Sequence, residues 1–587
     1  MAAEGATRPA EAPAAGALAA DAPGAVTRDS DQASGAGLAG LLAGLLARDW
    51  LVLGALLVLA AAVRLPGLPN RGDFNGDQGH DMLTLLRFTR DGVFPLLGPP
   101  TSIGDFHHGA FYYLLLAPAA AISNDDPVAV VTWIALLGIA AVGVAWWLGR
   151  LMCGRLAGLL AGAILALSPA AISESTFIWN PNPIPLFAGL ALATAWRARQ
   201  TGHARWWLAA LLCAGIVFQL HVLGIVFLPP ILALLVVEWR AAHRRGDTGL
   251  ADRTIWAFLG GLALIALLFV PLLIHELQFD WSETRNAIAY FTSGSSTPGE
   301  LSLPGRLLFT LLRVVGWPLV GLVTNAPAGA SIALALVVIS AIWASIVAQG
   351  DQRVAIRWLA GTVAWSSIAL AILAPSLQTV VAGLPNDHYH AFLDPVVVVL
   401  LVLSLIAIAG PNSSIAARAA TTDPDQASAQ RVLPVVRVAF GVALLAVVGI
   451  GVTQWPAPDP NGGWPAAQAA GARVVAITGT NPVWTFDVPT FKTADLIGFP
   501  IAYAGGTVVG TSAPALDPAN GSPLNATYWV VACDRLFEPV VGKACGGPAE
   551  DATVDPIGAD LLMPTPARTL VTRFDSSPRT AISVYGP

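Results

Sequence analysis

The chain has 587 residues, of which 55% are hydrophobic and only 12% are charged, and its mean hydropathy is +0.65. Soluble domains carry about 25% charged residues, and charged side chains are costly in hydrocarbon. The composition excludes an ordinary soluble protein and predicts a polytopic membrane protein. The formal net charge of −6 adds little, because orientation depends on where Lys and Arg lie.

The first 36 residues are rich in Ala, Pro, Gly and acidic side chains and lack a periodic pattern of bulky apolar residues. Such a segment cannot bury enough apolar surface to fold, so residues 1–36 are predicted to form a disordered cytoplasmic tail. No short apolar region follows a basic start, so a cleavable signal peptide is not expected.

Residues 37–453 consist mainly of apolar segments that approach the ~20 residues needed for a membrane-spanning helix. The clearest segments are 49–66, 128–149, 155–172, 183–197, 205–221, 223–239, 254–274, 327–348, 355–374, 392–409 and 433–453. Two further stretches, 108–122 and 305–323, are interrupted by polar residues, so they are either juxtamembrane helices or further spans. The sequence thus predicts a helical membrane domain of about 11–13 spans.

Arginines indicate the orientation, because they concentrate in cytoplasmic loops. They occur in alternate loops, whereas 173–182 and 375–391 contain no Arg or Lys. The first long loop, 67–127, and the segment 275–304 are therefore predicted to face outward. An odd number of membrane spans then places residues 454–587 on the extracytoplasmic side as well.

Residues 454–587 are richer in Thr, Asp, Pro and Gly, which predicts a small extracytoplasmic α/β or α+β domain. Strands are predicted at "ARVVAIT" (472–478), "YWVVAC" (528–533) and "TAISVY" (580–585). Helices are predicted at "AAQAAGARVV" and "TADLIGFPIAY".

Cys533 and Cys545 lie close together in this outer domain, where a disulfide can persist. A Cys533–Cys545 bridge is predicted, and two free thiols are the alternative.

The first outer loop contains "FNGDQGHDMLTLLRF" (74–88), an unusual group of charges just after the first span. Asp77 and Asp81 are four residues apart and share a helix face with His80. A carboxylate beside another one and near apolar surroundings has a raised pKa, and it can serve as general base on a sugar hydroxyl. The alternative is that Asp77 caps the helix that follows.

Most histidines also fall on the predicted outer side: His80, His107, His108, His221, His275, His388 and His390. Polar groups gathered at one membrane face are typical of a substrate pathway.

The motifs "DQGHD" (77–81) and "FHHGAFYY" (106–113) resemble the first outer loop of the GT-C glycosyltransferases, most closely glycosyltransferase family 39 and the aminoarabinose transferase group. That family has a D-E-x-x-Y acidic pair, of which Asp77 matches the first acid and Gln78 replaces the second. His107 and His108 stand where relatives carry a basic residue and a proline.

Two later segments resemble the same family. In "SESTFIWNPNPIPLF", Glu174, Asn180 and Asn182 occupy the region where relatives have an Arg and a second acid. An Asn can hydrogen-bond a sugar but cannot act as a base. Capping of the next helix by the "NPNP" turn is the alternative.

In "NDHYHAFLDP", Tyr389 fits an R-Y-x-x-P-x-x-P motif, and His388 or His390 would replace its Arg in holding a lipid phosphate. Neutral His is a weaker phosphate anchor than Arg. Arg313, alone in an apolar stretch, is the second candidate, and snorkelling to the interface is its alternative.

The sequence has no P-loop and no HExxH motif. The pairs "HH" and "HYH" supply too few ligands to define a metal site, so no cofactor is predicted with certainty and a divalent metal stays open.

The resemblance implies an integral membrane transferase that takes a sugar from a polyprenyl-phosphate-linked donor and passes it to an extracytoplasmic glycan, lipid or protein. Asp77 would be the general base of an inverting reaction and Asp81 would support it. Membrane lipids are expected partners, and nucleic acid is not. The alternatives are a transporter or flippase and a non-catalytic envelope-assembly protein. Transporters bind near the bilayer midplane between inverted repeats, and neither feature is evident here.

Overall fold

The computed structural model describes residues 48–101, 105–293, 301–374, 377, 387–410, 427–489, 493–511, 525–538, 545–551, 554 and 568–587. The predicted tail, residues 1–36, lies outside the described residues. So do 378–386, which belong to the loop that precedes the "DHYH" motif.

Helices account for most of the described residues before residue 454. The first nine are α1 (Asp49–Arg64), α2 (Gly76–Asp91), α3 (Phe111–Ser123), α4 (Pro127–Cys153), α5 (Arg155–Leu167), α6 (Pro169–Ser173), α7 (Ile184–Thr201), α8 (Ala204–Leu220) and α9 (Leu228–Arg244). The next eight are α10 (Thr248–Leu268), α11 (Val270–Gln278), α12 (Ser282–Ser293), α13 (Leu303–Val320), α14 (Pro327–Val347), α15 (Gly350–Leu373), α16 (Asp394–Ala409) and α17 (Ala427–Thr453). Short 3-10 helices at Val222–Phe227 and Asp387–Leu393 precede α9 and α16.

Every apolar segment predicted from the sequence is helical. Within the described part of the chain, eight helical segments are long and apolar enough to cross a membrane, and α3, α5 and α8 are shorter apolar helices. The polytopic helical fold is therefore confirmed, and the protein is an integral membrane protein.

The segment Asp387–Ala409, which ends in α16, lies at the centre of the bundle. It is the most apolar of the candidate spans, and 94% of an 18-residue apolar stretch within it is buried inside the protein. A helix that is apolar on all sides is typical of a bundle core, and α16 packs against α4, α5, α13, α14 and α15. By contrast, α17 exposes Val435, Val438, Val442 and Leu445, as expected of a helix that faces lipid.

In the described residues of the C-terminal part, a mixed five-stranded sheet packs with the helices α18 (Gly463–Thr478) and α19 (Asp495–Tyr503). The strands are β1 (Pro482–Val488), β2 (Thr507–Thr511), β3 (Tyr528–Asp534), β4 (Thr569–Asp575) and β5 (Thr580–Gly586), in the order β2-β1-β3-β5-β4. β1 is parallel to β2 and β3, whereas β5 is antiparallel to β3 and β4. Both helices pack on one face of the sheet, and the predicted α/β domain is confirmed.

One strand prediction is wrong. Residues 472–478 are the end of α18, because Ala470, Val474 and Thr478 recur every four residues and are buried, while Ala472, Arg473 and Ala476 are exposed. The strands predicted at 528–533 and 580–585 are confirmed as β3 and β5. The structure joins Cys533, on β3, to Cys545 through a disulfide bond.

Candidate active site

The helix α2 begins with a reciprocal capping box. The side chain of Asn75 accepts a hydrogen bond from the backbone N–H of Asp77 at 3.0 Å, and the side chain of Gln78 accepts one from the N–H of Asn75 at 3.0 Å. The alternative in which Asp77 caps this helix is therefore wrong. Asp77 lies in the first turn with an exposed side chain.

Gln78 also ties α2 to the loop at 174–183, between α6 and α7, which is the second of the predicted outer loops. Its amide nitrogen donates to the carbonyl oxygen of Ile178 at 2.8 Å. An ionised Glu at position 78, as in the D-E-x-x-Y pattern, has no N–H to donate. Gln78 therefore makes a hydrogen bond to Ile178 that the acid of that pattern could not make. Nearby, a Cβ on Gly72 would lie 1.9 Å from the carbonyl oxygen of Thr176, so the two loops touch backbone to backbone.

Asp81 is buried and enclosed by two tyrosines of α3. The hydroxyls of Tyr112 and Tyr113 donate to separate oxygens of Asp81, each at 2.9 Å. Burial raises the pKa of Asp81 to about 7, and the charge of His80 and the two tyrosine hydrogen bonds oppose this rise. Strong perturbation of this kind is typical of functional sites.

His80 lies between the two carboxylates in the sequence and points to the C-terminal domain. Its Nδ1 lies 3.0 Å from a carboxylate oxygen of Asp495, on α19. Burial lowers the pKa of His80, but the hydrogen bond and the charge of Asp495 outweigh it and raise the pKa above its ordinary value.

His107 is paired with α12, a helix more distant in the sequence. Its backbone N–H donates to Glu283 of α12 at 2.6 Å, and its Nδ1 lies 3.1 Å from the other oxygen of that carboxylate. The two carboxylate oxygens of Glu283 thus bind His107 at its backbone and at its ring, and these contacts fasten the segment around His107 to α12.

His108 belongs to a cluster of rings. The ring centres of His108 and His221 are 4.7 Å apart, and His221 lies 5.5 Å from His388 and 5.1 Å from Tyr389. Trp179, from the second outer loop, lies 4.1 Å from His388. Burial holds the pKa values of His108 and His221 well below the ordinary value, so both rings are neutral near pH 7.

Arg313 forms a buried ion pair with Asp387, the residue that precedes His388 of the ring cluster. Its guanidinium donates to both oxygens of Asp387, at 2.9 and 2.7 Å, and to the carbonyl oxygen of Leu377 at 2.6 Å. The Nε2 of His390 lies 3.2 Å from Asp387. Arg313 is fully buried, so it does not snorkel, and its charge is matched by Asp387 rather than open to a lipid phosphate.

Glu174 and Asp394 are two further buried acids. Both oxygens of Asp394 and one of Glu174 have no hydrogen-bond partner among the described residues. Burial raises the pKa of Glu174 to about 8, and the charge of Asp387 adds to the effect. The amides of Asn180 and Asn182 donate to backbone carbonyls, so both support the second outer loop.

Several residues of the site were not found by sequence reasoning: Tyr112, Tyr113, Trp179, Glu283, Asp387, Asp394 and Asp495. A signal existed for Asp387 and Asp394, since acids entering an apolar span are rare and mark function. Asp495 gave no such signal, because it lies in a domain where exposed acids are common. Among the described residues, no group of three His, Cys, Asp or Glu side chains could hold a metal ion.

Comparison with known proteins places this arrangement in a class. Residues 107–275 match the family model described as dolichyl-phosphate-mannose-protein mannosyltransferase. No curated protein matches the chain. The structure of ArnT from Cupriavidus metallidurans bound to undecaprenyl phosphate is 14% identical, covers 91% of this chain and 97% of its own, and gives a TM-score of 0.53.

The apo structure of the same ArnT is also 14% identical, covers 93% of this chain and 98% of its own, and gives a TM-score of 0.50. The archaeal oligosaccharyltransferase AglB from Archaeoglobus fulgidus is 12% identical, covers 84% of this chain and 70% of its own, and gives a TM-score of 0.43. The fold of this chain is that of the GT-C membrane glycosyltransferases, and the resemblance predicted from the sequence is confirmed.

Proposed function

We propose that this protein transfers a sugar from a polyprenyl-phosphate-linked donor to an acceptor on the extracytoplasmic face of the membrane. The observation that carries the proposal is the pair on α2: Asp77 is exposed in the first turn of the helix, and Asp81 is buried one turn further on. ArnT, which has the same fold, binds a polyprenyl phosphate in its structure.

Asp77 is the proposed general base. A base must come within about 2.6–3.2 Å of the proton it removes, and the exposed side chain of Asp77 is accessible to an acceptor. Asp81 is less suited, because each of its oxygens already accepts a tyrosine hydrogen bond. Asp77 would take the acceptor hydroxyl proton as that oxygen attacks the anomeric carbon. The bond from that carbon to the lipid phosphate breaks, and the configuration inverts.

The departing lipid phosphate gains negative charge and needs hydrogen-bond donors. Arg313 is held by Asp387, so we assign direct contact to His388 and Tyr389 in the ring cluster. The Nδ1 of His388 has no hydrogen-bond partner among the described residues. Arg313 and His390 would act through Asp387, by fixing the segment that carries both residues.

The other predicted site residues divide by what they contact. Trp179 and His108 line the ring cluster and could pack against a sugar ring. Glu174, kept neutral by its surroundings, could hydrogen-bond a sugar hydroxyl. His107 would shape the site by fastening its loop to Glu283.

The outward orientation is also part of the proposal. It rests on the distribution of Arg and on the disulfide between Cys533 and Cys545, since disulfides persist in oxidising compartments.

The test is Asp77→Asn in purified protein, supplied with polyprenyl-phosphate-linked hexoses and pentoses. We expect transfer to fall at least ~100-fold, the usual loss for a general base. Asp91→Asn is the matched control, because Asp91 is an exposed acid on the same helix. Full activity of Asp77→Asn would refute the base assignment. If the wild-type protein transferred no sugar from any such donor, a transporter or an assembly protein would be the better interpretation.

A further inference from the structure

The C-terminal domain touches the helix that carries both candidate carboxylates. A Cβ on Gly79 of α2 would lie 2.0 Å from the carbonyl oxygen of Asp495, and a Cβ on Gly76 would lie 2.6 Å from that of Thr493. Glycine destabilises a helix interior relative to alanine. The close approach of the Asp495 backbone explains why position 79 has no side chain. We call this contact between α2 and the segment 493–495 the glycine seam.

A hydrogen bond between a half-buried His80 and a buried Asp495 closes the glycine seam. Asp495 is 2% exposed and lies 3.0 Å from the Nδ1 of His80, whereas its second oxygen has no hydrogen-bond partner among the described residues. Burying a carboxylate is costly unless it is paired. A seam that only held two domains together could be apolar, as the contact of Phe74 with Trp464 and Phe499 in the same interface is.

That apolar part of the interface is anchored separately. Phe74, in the first outer loop, packs 4.9 Å from the ring of Trp464 and 6.1 Å from that of Phe499, both in the C-terminal domain. The backbone N–H of Asp459 also donates to the carbonyl oxygen of Asn70. The domain therefore remains docked on the loop when the His80–Asp495 bond is removed.

We propose that Asp495 is a positioning residue for the reaction. Through His80 and the glycine seam it fixes the rotation of α2, so that Asp77 faces the acceptor while Asp81 stays against its tyrosines. The role rests on the proposed function, because it concerns how the catalytic helix is held. It makes the C-terminal domain a part of the active site in its own right.

The experiment uses the full-length protein in detergent with Asp495→Asn, which keeps the size of the side chain and removes its charge. The matched control is Asp575→Asn, which removes a partly exposed ion pair with Arg535 in the same domain. Hydrogen exchange of the α2 amides and the unfolding midpoint are measured alongside kcat and KM.

For Asp495→Asn we expect exchange to rise at least ~10-fold in α2 alone, with an unfolding midpoint near that of the wild type. We expect kcat to fall at least ~10-fold while KM for the lipid donor is unchanged, because α2 carries the proposed base and not the donor contacts. Asp575→Asn should behave as the wild type in every measurement. Gly79→Ala, which pushes the seam apart, should reproduce the effect of Asp495→Asn.

Unchanged exchange in α2 would overturn the proposal, as would faster exchange throughout the C-terminal domain, which indicates a merely structural role. Faster exchange in α2 with a normal kcat would also overturn it. The exchange measurement needs no substrate. If the wild type transfers no sugar, the proposed function fails, and unchanged exchange in α2 still refutes the positioning of the helix.

Discussion

The buried carboxylate of Asp81 gives the protein a pH-dependent stability that can be worked out from its surroundings. Its pKa is about 7 in the folded state against an ordinary value of 3.8. An acid whose folded pKa is raised favours folding most below the ordinary pKa, and the advantage is lost as pH rises to the folded pKa. The window for Asp81 therefore runs from about pH 4 to about pH 7.

Each pKa unit corresponds to about 1.4 kcal/mol, so a shift of about 3 units costs about 4 kcal/mol once Asp81 is ionised. Between pH 5 and pH 8 the part that changes is about 3 kcal/mol. Asp81→Asn does not ionise and lacks this loss. We expect the variant to gain stability relative to the wild type by about 3 kcal/mol between these two pH values.

The assay is thermal unfolding in detergent at pH 5, 6, 7 and 8, followed by tryptophan fluorescence, for the wild type, Asp81→Asn and Asp77→Asn. Asp77 lies on the same helix but is exposed, so its variant should follow the wild-type curve. If the unfolding midpoint of Asp81→Asn changed with pH in parallel with that of the wild type, the folded protein would not raise the pKa of Asp81. This result would refute the prediction.

Three other changes test other parts of the structure. Arg313→Met leaves the buried carboxylate of Asp387 without its cation and should cost about 3–5 kcal/mol of stability, whereas adding Asp387→Leu should recover most of it; detergent melting curves of the single and double variants decide this. Gln78→Glu introduces the second acid of the D-E-x-x-Y pattern but removes the N–H that donates to Ile178. The unfolding midpoint should fall by the equivalent of about 1–3 kcal/mol, and an unchanged midpoint would contradict the role assigned to the amide. Cys545→Ser opens a disulfide that spans 12 residues and should destabilise the C-terminal domain by about 3 kcal/mol, read out as faster cleavage of that domain by protease; equal cleavage rates would contradict it.

The helices could be predicted because membrane spans depend on one strong signal, a long apolar run. The central position of α16 could not be predicted from this signal, because a helix that faces lipid and a helix buried on all sides differ little in composition. The strand predicted at 472–478 failed for a related reason. Short apolar runs rich in Val fit either period, and packing of α18 on the sheet decided between them.

The site was predictable only where its residues are local in sequence. Asp77, His80 and Asp81 fall within one and a half helical turns, so their grouping on α2 follows from helix geometry. The partners that determine their behaviour come from elsewhere: the tyrosines from α3 and Asp495 from the far end of the chain. Spacing along the sequence cannot give these contacts, because they depend on how α2 is docked.

His80 and Asp495 are 415 residues apart, which has a consequence for biogenesis. A chain made from its N-terminus produces α2 before most of the membrane helices and α19 after all of those described. Until the C-terminal domain has emerged and folded, the side of α2 that carries Gly79 and His80 lacks its partner segment, although the membrane helices are already made. A nascent chain at that stage would thus carry the acids of the site without the support that orients them, and activity would begin only once the C-terminal domain has folded.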